Sequence, residues 1–220
     1  PSGWNNSVKD TLAALEDVER CIRAHANAVM HHSSKTDTPR AVELECALAS
    51  ALKASPAAQV KVLRSLSNRL ANEENWVEAA EASTAAAIVT MQAFSVAAPH
   101  QCVWVTHDVE DLRDSFFALT AKVAPLPSVA GIRCGTEEIG EAQILAHLSR
   151  AVEFFTKGGH LEAALRVIDA AQIAWESHRE FGALSESHAM MSELFRRLHA
   201  TSNVGDAKQY KWDMEGKPPP

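Results

Sequence analysis

Residues 75–94, NWVEAAEASTAAAIVTMQAF, decide how this chain is read. Seven of these twenty positions are alanine, and the run opens on Asn-Trp before a Glu-Ala-Ala. A second run at residues 159–178, GHLEAALRVIDAAQIAWESH, repeats the cadence 84 residues later (159 against 75). Trp76, Glu78, Ala79, Ala80 and Ala86 align with His160, Glu162, Ala163, Ala164 and Ala170. Alanine has the best helix propensity, but propensity alone does not concentrate it in two helices. Small side chains on several faces let neighbouring backbones approach closely, which a helix flanked by two or three others requires. Both runs are therefore expected to be central helices of an antiparallel array. A ligand groove lined by alanine is the other reading.

Working outward, apolar residues recur at three- and four-residue spacing, the helical period. Val8, Leu12, Leu15, Val18, Ile22, Ala26 and Val29 keep that step in a first segment. HHSSKTDTPR (31–40) interrupts it, and Thr38-Pro39 reads as a cap and first helical residue. Ala41, Leu44, Leu48 and Leu52 then form a stripe, and Ser55-Pro56 marks another helix start, followed by Val60, Leu63, Leu66 and Leu70. A short polar break, ANEEN (71–75), separates that helix from one spanning about residues 75–95, so the two form a helical hairpin.

The period lapses at AAPHQCVWVTHD (97–108), where CVWV is the only strand-like scrap. It resumes with Val109, Leu112, Phe116 and Leu119, behind a cap at His107 or Asp108. PLPSVAGIRCGTEEIG (125–140) carries two prolines and three glycines and predicts an exposed, mobile loop. Ile144, Leu148, Val152 and Phe155 mark a helix stopped by TKGGH, a Gly-rich C-cap. Leu161, Ala164, Leu165, Ile168, Ala171 and Trp175 follow in a second hairpin. Leu184, Met191, Leu194, Phe195 and Leu198 mark the last helix. TSNVGDAKQYKWDMEGKPPP (201–220) is polar and proline-ended, a linker or frayed terminus. The fold expected is all-α: an antiparallel array of about seven helices.

Net charge is −7, and the 21 basic residues are scattered without interleaved aromatics, which excludes a nucleic-acid partner and favours protein partners. No apolar run has the length of a bilayer span, and PSGWNNSVKD lacks the apolar stretch of a signal peptide. Cys21, Cys46, Cys102 and Cys134 are far apart with no CxxC, the usage of reduced thiols in a cytoplasmic protein.

Chemistry is sparse. His31 and His32 are adjacent and so diverge on a helix, no HExxH occurs, and His100 and Cys102 lack a second ligand pair; no metal or cofactor is expected. There is no GxSxG, and GIRCG lacks the Lys-Ser/Thr of a phosphate loop. The carboxylates Asp108, Glu110, Asp111, Asp114, Glu137 and Glu138 read as solvated helix starts complementing the helix dipole. Trp76 and Trp175 fall on core-facing stripes, whereas Trp4 and Trp212 lie in terminal segments.

Taken with the last helix, the second hairpin, LSRAVEFFTKGGHLEAALRVIDAAQIAWESHREFGALSESHAMMSELFRRL (148–198), resembles the DOCK family of guanine nucleotide exchange factors. The similar region is the first lobe, lobe A, of DOCK homology region 2. Glu162, Ala163 and Ala164 stand at the alanine pair, Glu176, Arg179, Glu180 and Phe181 at the following turn, and Leu184, Leu194 and Leu198 at the spaced leucines. VLRSLSNRLANEENWVEAAEASTAAAIVTMQAF (62–94) is similar to the family's first helix pair, and the order of hairpins agrees.

The resemblance implies residues 55–200 as lobe A, residues 1–54 as N-terminal helices of the array, and residues 201–220 as a linker toward a missing second lobe. In the family, lobe A buttresses the second lobe, and the second and third lobes bind Rho-type GTPases and expel nucleotide. It follows that no catalytic residue is carried over and no exchange is expected of this chain alone. The partners implied are the parent's remaining lobes, with a Rho-type GTPase engaged only through the parent and no membrane contact by this lobe. Phe195, Tyr210 and Trp212 are the candidate inter-lobe contacts.

The competing reading is an independent scaffold. The two hairpins are also similar in cadence to tetratricopeptide repeats, which bind peptides in a concave groove, although their spacing of 84 residues is not the usual repeat length of about 34. A small helical enzyme is a third possibility, tested by a melting-temperature shift with divalent metals and nucleotides.

Overall fold

Three turns of one kind set the direction of the chain. In each, a helix is followed by a residue with left-handed backbone, and the amide groups of that residue and of the one after it reach back to the helix's last free carbonyls. Glu74 (φ 61°), Gly159 (φ 77°) and Arg179 (φ 56°) are the three left-handed residues. The residue after each donates five positions back: Asn75 N to Leu70 O at 2.9 Å, His160 N to Phe155 O at 2.9 Å, and Glu180 N to Trp175 O at 2.8 Å. This is the Schellman arrangement, which satisfies carbonyls a helix end otherwise leaves open. Only one of the three uses glycine; the others hold a Cβ in a conformation that costs about 1–2 kcal/mol.

The computed structural model describes residues 38–52, 55–104, 106–114 and 139–215. They contain α1 (Thr38–Ala51), α2 (Pro56–Asn72), α3 (Trp76–Ala97), α4 (Thr106–Asp114), α5 (Glu141–Lys157), α6 (Leu161–Ser177) and α7 (Phe181–Glu215). No strand occurs among the described residues, and residues 102–104 of CVWV are irregular. The all-α expectation is therefore met. The helix expected over residues 8–29 and most of the 125–140 loop lie outside the described residues. The last two residues of that loop are described, and Ile139 is buried rather than exposed.

Consecutive helices pack antiparallel, α1 on α2, α2 on α3, α5 on α6 and α6 on α7, and the two hairpins join through α3 against α5. Short α4 caps the array, touching α3 and α6. Enclosed by α2, α4 and α5, α3 is the central helix. From Ala79 to Phe94 all its residues are buried except Glu81 and Gln92, which explains its alanines. The same expectation holds only in part for α6, whose Glu162, Arg166, Asp169 and Glu176 face solvent.

The repeat in the sequence is one residue out of step with the repeat in space. The turns at 73–75 and 158–160 correspond at a spacing of 85, so Ala79 is the counterpart of Ala164 rather than Ala163. Burial agrees: Ala79 and Ala164 are both fully buried, whereas Ala163 is half-buried.

Leu66, Leu70, Ile88, Met91, Ile144, Leu148, Phe155 and Leu194 anchor the main core. Each such burial is worth about 1.5–3 kcal/mol. A smaller cluster of Ala49, Val60, Leu63, Ala85, Ala86 and Val89 joins α1, α2 and α3. Polar stitches add direction: the Ser67 hydroxyl donates to the Ala79 carbonyl at 2.8 Å and shares a hydrogen bond with Ser83 at 2.8 Å. Arg69 pairs with Glu45 of α1 at 2.9 Å, and Arg150 of α5 donates to Asn68 of α2 at 2.7 Å. Ser55 occupies the N-cap of α2 with Pro56 at the first position, but its side chain makes no capping bond.

The turn between α5 and α6 sits directly against the start of α3. A Cβ on Gly158 would lie 2.9 Å from Val77 Cγ2 and 3.3 Å from Trp76 Cβ. The Trp76 ring lies 5.8 Å from that of Phe154, and Lys157 Nζ stands 4.9 Å from the Trp76 ring centroid. Trp76 is thus a hinge-pin between the hairpins, held by ring packing and a cation–π contact.

Candidate functional site

The candidate contact surface lies on α7, the last helix of the array. Its inner face is fixed by Ser187 and Leu194, both buried against α6, and by Gln172 Nε2, which donates to Ser187 Oγ at 2.8 Å and approaches Met191 Sδ at 3.4 Å. Phe195, one position past Leu194, turns out of that seam and is 54 % exposed. A phenylalanine left that accessible has a large apolar surface without a partner.

Residues 201–215 are helical: α7 continues through Thr201 as far as Glu215. Tyr210 and Trp212 therefore stand further along the helix that carries Phe195. Phe195 and Tyr210 are fifteen residues apart (210 against 195), about 22 Å along a helix axis. The side chains of Tyr210 and Trp212 lie outside the described residues.

Phe181, at the first position of α7, is 72 % exposed and was missed by the sequence reading. Its signal is the heptad step: Phe181, His188 and Phe195 are each seven residues apart and share a flank of the helix. Met190 is 48 % exposed on the other flank, and Val96 is 49 % exposed near the end of α3.

Elsewhere the described chemistry is structural. Trp104 Nε1 donates to the Ala170 carbonyl at 2.7 Å, which ties the irregular 98–104 stretch to α6. The Cys102 thiol donates to the Trp104 carbonyl at 3.5 Å; burial pushes its pKa up, backbone hydrogen bonding at Trp104 opposes the rise, and Glu141 adds to it. Such a thiol is a poor nucleophile. Asp108 and Asp111 of α4 share a cleft with Arg166 and Asp169 of α6; burial raises the Asp169 carboxyl and Arg166 opposes it. No group of three or more His, Cys, Asp or Glu among the described residues is placed to hold a metal. No helix of the described residues is long and apolar enough to cross a membrane. His147, buried on the flank of α5, is strongly perturbed: burial, with Arg64 and Arg150 adding to it, lowers its pKa to about 4.

The family model described as DHR-2, Lobe A matches residues 43–200. That span takes in most of α1, all of α2 to α6 and the first part of α7, including Phe195. No curated protein and no solved structure matches the chain.

Proposed function

Because this chain belongs to the DHR-2 lobe A family, the first lobe of DOCK homology region 2, and so is part of a DOCK-type guanine nucleotide exchange factor, we propose that it acts as the stabilising, non-catalytic lobe of an exchange factor for Rho-type GTPases in the cytoplasm. The family match carries this reading. The packing supports it: a helix closed on all sides, three Schellman turns and a continuous core make a stiff support, which suits a buttress better than a moving catalytic part.

Under this reading α7 supplies the surface against which the next lobe docks, and Phe195 is its anchor, with Tyr210 and Trp212 further along the same helix. An exposed aromatic on a helix flank is the type of residue that dominates an interface once it is desolvated.

The test is release of a fluorescent guanine nucleotide from a panel of Rho-type GTPases. The chain alone is compared with the chain joined to the second and third lobes of a DOCK homology region 2. Acceleration by the joined protein only, reduced by Phe195→Glu without a change in melting temperature, is the expected result. Absence of acceleration on every GTPase overturns the exchange-factor role and leaves the peptide-binding scaffold in its place.

A further inference from the structure

On the flank of α7 opposite Phe195, a groove runs between α5 and α7 with α6 as its floor. Met190 and Phe195 are five residues apart, about 140° around the helix, so the two surfaces are separate. The groove is lined mainly by Val152 of α5, Ile168, Ala171 and Trp175 of α6, and Met190 of α7, with Glu186 on its rim. Its volume is about 210 Å³. Drug-sized and cofactor ligands take roughly 300–1,000 Å³. An apolar cavity of about 150 Å³ holds a benzene ring. The groove is therefore the size of one large side chain and too small for a nucleotide or cofactor.

Three observations describe that side chain and its setting. The lining is apolar, and Trp175 and Met190 keep part of their surface open to it. Methionine beside an aromatic ring is an adaptable surface that packs well on another ring. The rim carries the exposed carboxylate of Glu186, which makes no ion pair among the described residues. A chain of net charge −7 strengthens the preference for a cation there.

We propose that this groove binds a short peptide segment in which a bulky apolar residue fills the space over Trp175 and an adjacent Lys or Arg pairs with Glu186. The partner is a basic–apolar linear segment of another protein. This assignment does not rest on the exchange-factor reading, since it uses the other flank of α7.

The probe is the blocked dipeptide Ac-Phe-Arg-NH2, titrated into the isotope-labelled full chain and followed by NMR at the Met190 methyl and the Trp175 indole N–H. Saturable shifts at both signals are expected in the millimolar range. Ac-Phe-Glu-NH2 should bind about twofold to fivefold more weakly, the span of an exposed ion pair. Glu186→Lys, at an exposed position, should reverse that preference, and Met190→Glu should abolish the shift at the Trp175 indole N–H. Absence of saturable shifts at the two signals overturns the site. Equal binding of the two dipeptides, or a preference that Glu186→Lys leaves unchanged, overturns the role of Glu186 and with it the class of partner.

Discussion

Acidification should destabilise this protein through His147 before most of its carboxylates titrate. The imidazole is 7 % exposed, on the flank of α5 where Arg64 and Arg150 act on it. Burial disfavours the imidazolium most, and the two guanidiniums add to that, so the folded chain holds the group at about 4 against an ordinary 6.5. The unfolded chain takes up a proton at the ordinary value, so between those two pH values it binds more protons than the folded one. Stability then rises with pH across this window: it is fully present above about pH 6.5 and is lost as pH falls toward about 4. The whole difference is worth about 3 kcal/mol, of which about 2 kcal/mol is lost by about pH 5. Urea unfolding at about pH 7.5 and about pH 5 measures it directly, for the wild type and for His147→Gln. The variant cannot charge, so its stability should fall by much less over the same interval. Equal pH dependence in the two proteins would refute the reasoning, because the acid sensitivity would then belong to other groups.

Two further changes test the turns. Gly158→Ala places a methyl 2.9 Å from the branched Val77 side chain, which cannot swing aside, and should cost about 1–3 kcal/mol in denaturant unfolding; a loss under about 0.5 kcal/mol would mean that the α5–α6 turn does not press on α3. Arg179→Gly removes a Cβ from a left-handed residue at an exposed turn and should stabilise by about 0.5–1 kcal/mol once glycine's own entropy cost is deducted, seen as a rise in melting temperature.

Much of the fold was legible because it depends on local pattern. The 3.6-residue spacing located the described helices, and Pro56, Gly158 and Gly159 punctuated them, since the backbone cost of proline and glycine acts within a residue or two. The alanine run located the central helix because a helix surrounded on every side has room only for small residues. The turn residues Glu74 and Arg179 were not legible: neither is a left-handed residue by preference, and each is held there by helices packed on both sides of it. Nor did composition show that residues 201–215 continue as helix.

What only the tertiary structure decided are the properties that arise between elements. The buried amide of Gln59, whose Nε2 and Oε1 lack hydrogen-bond partners among the described residues, looks like any polar helix residue in sequence. So does His147 until folding brings Arg64 of α2 near it. Whether Phe195 or Leu194 faces solvent depends on how α7 is rotated against α6, and adjacent apolar residues in a sequence carry no sign of that rotation. The sequence by itself determined a helical array and its family, because periodicity and turn chemistry are local. The surfaces on which α7 can act are set by packing angles that the complete array alone establishes.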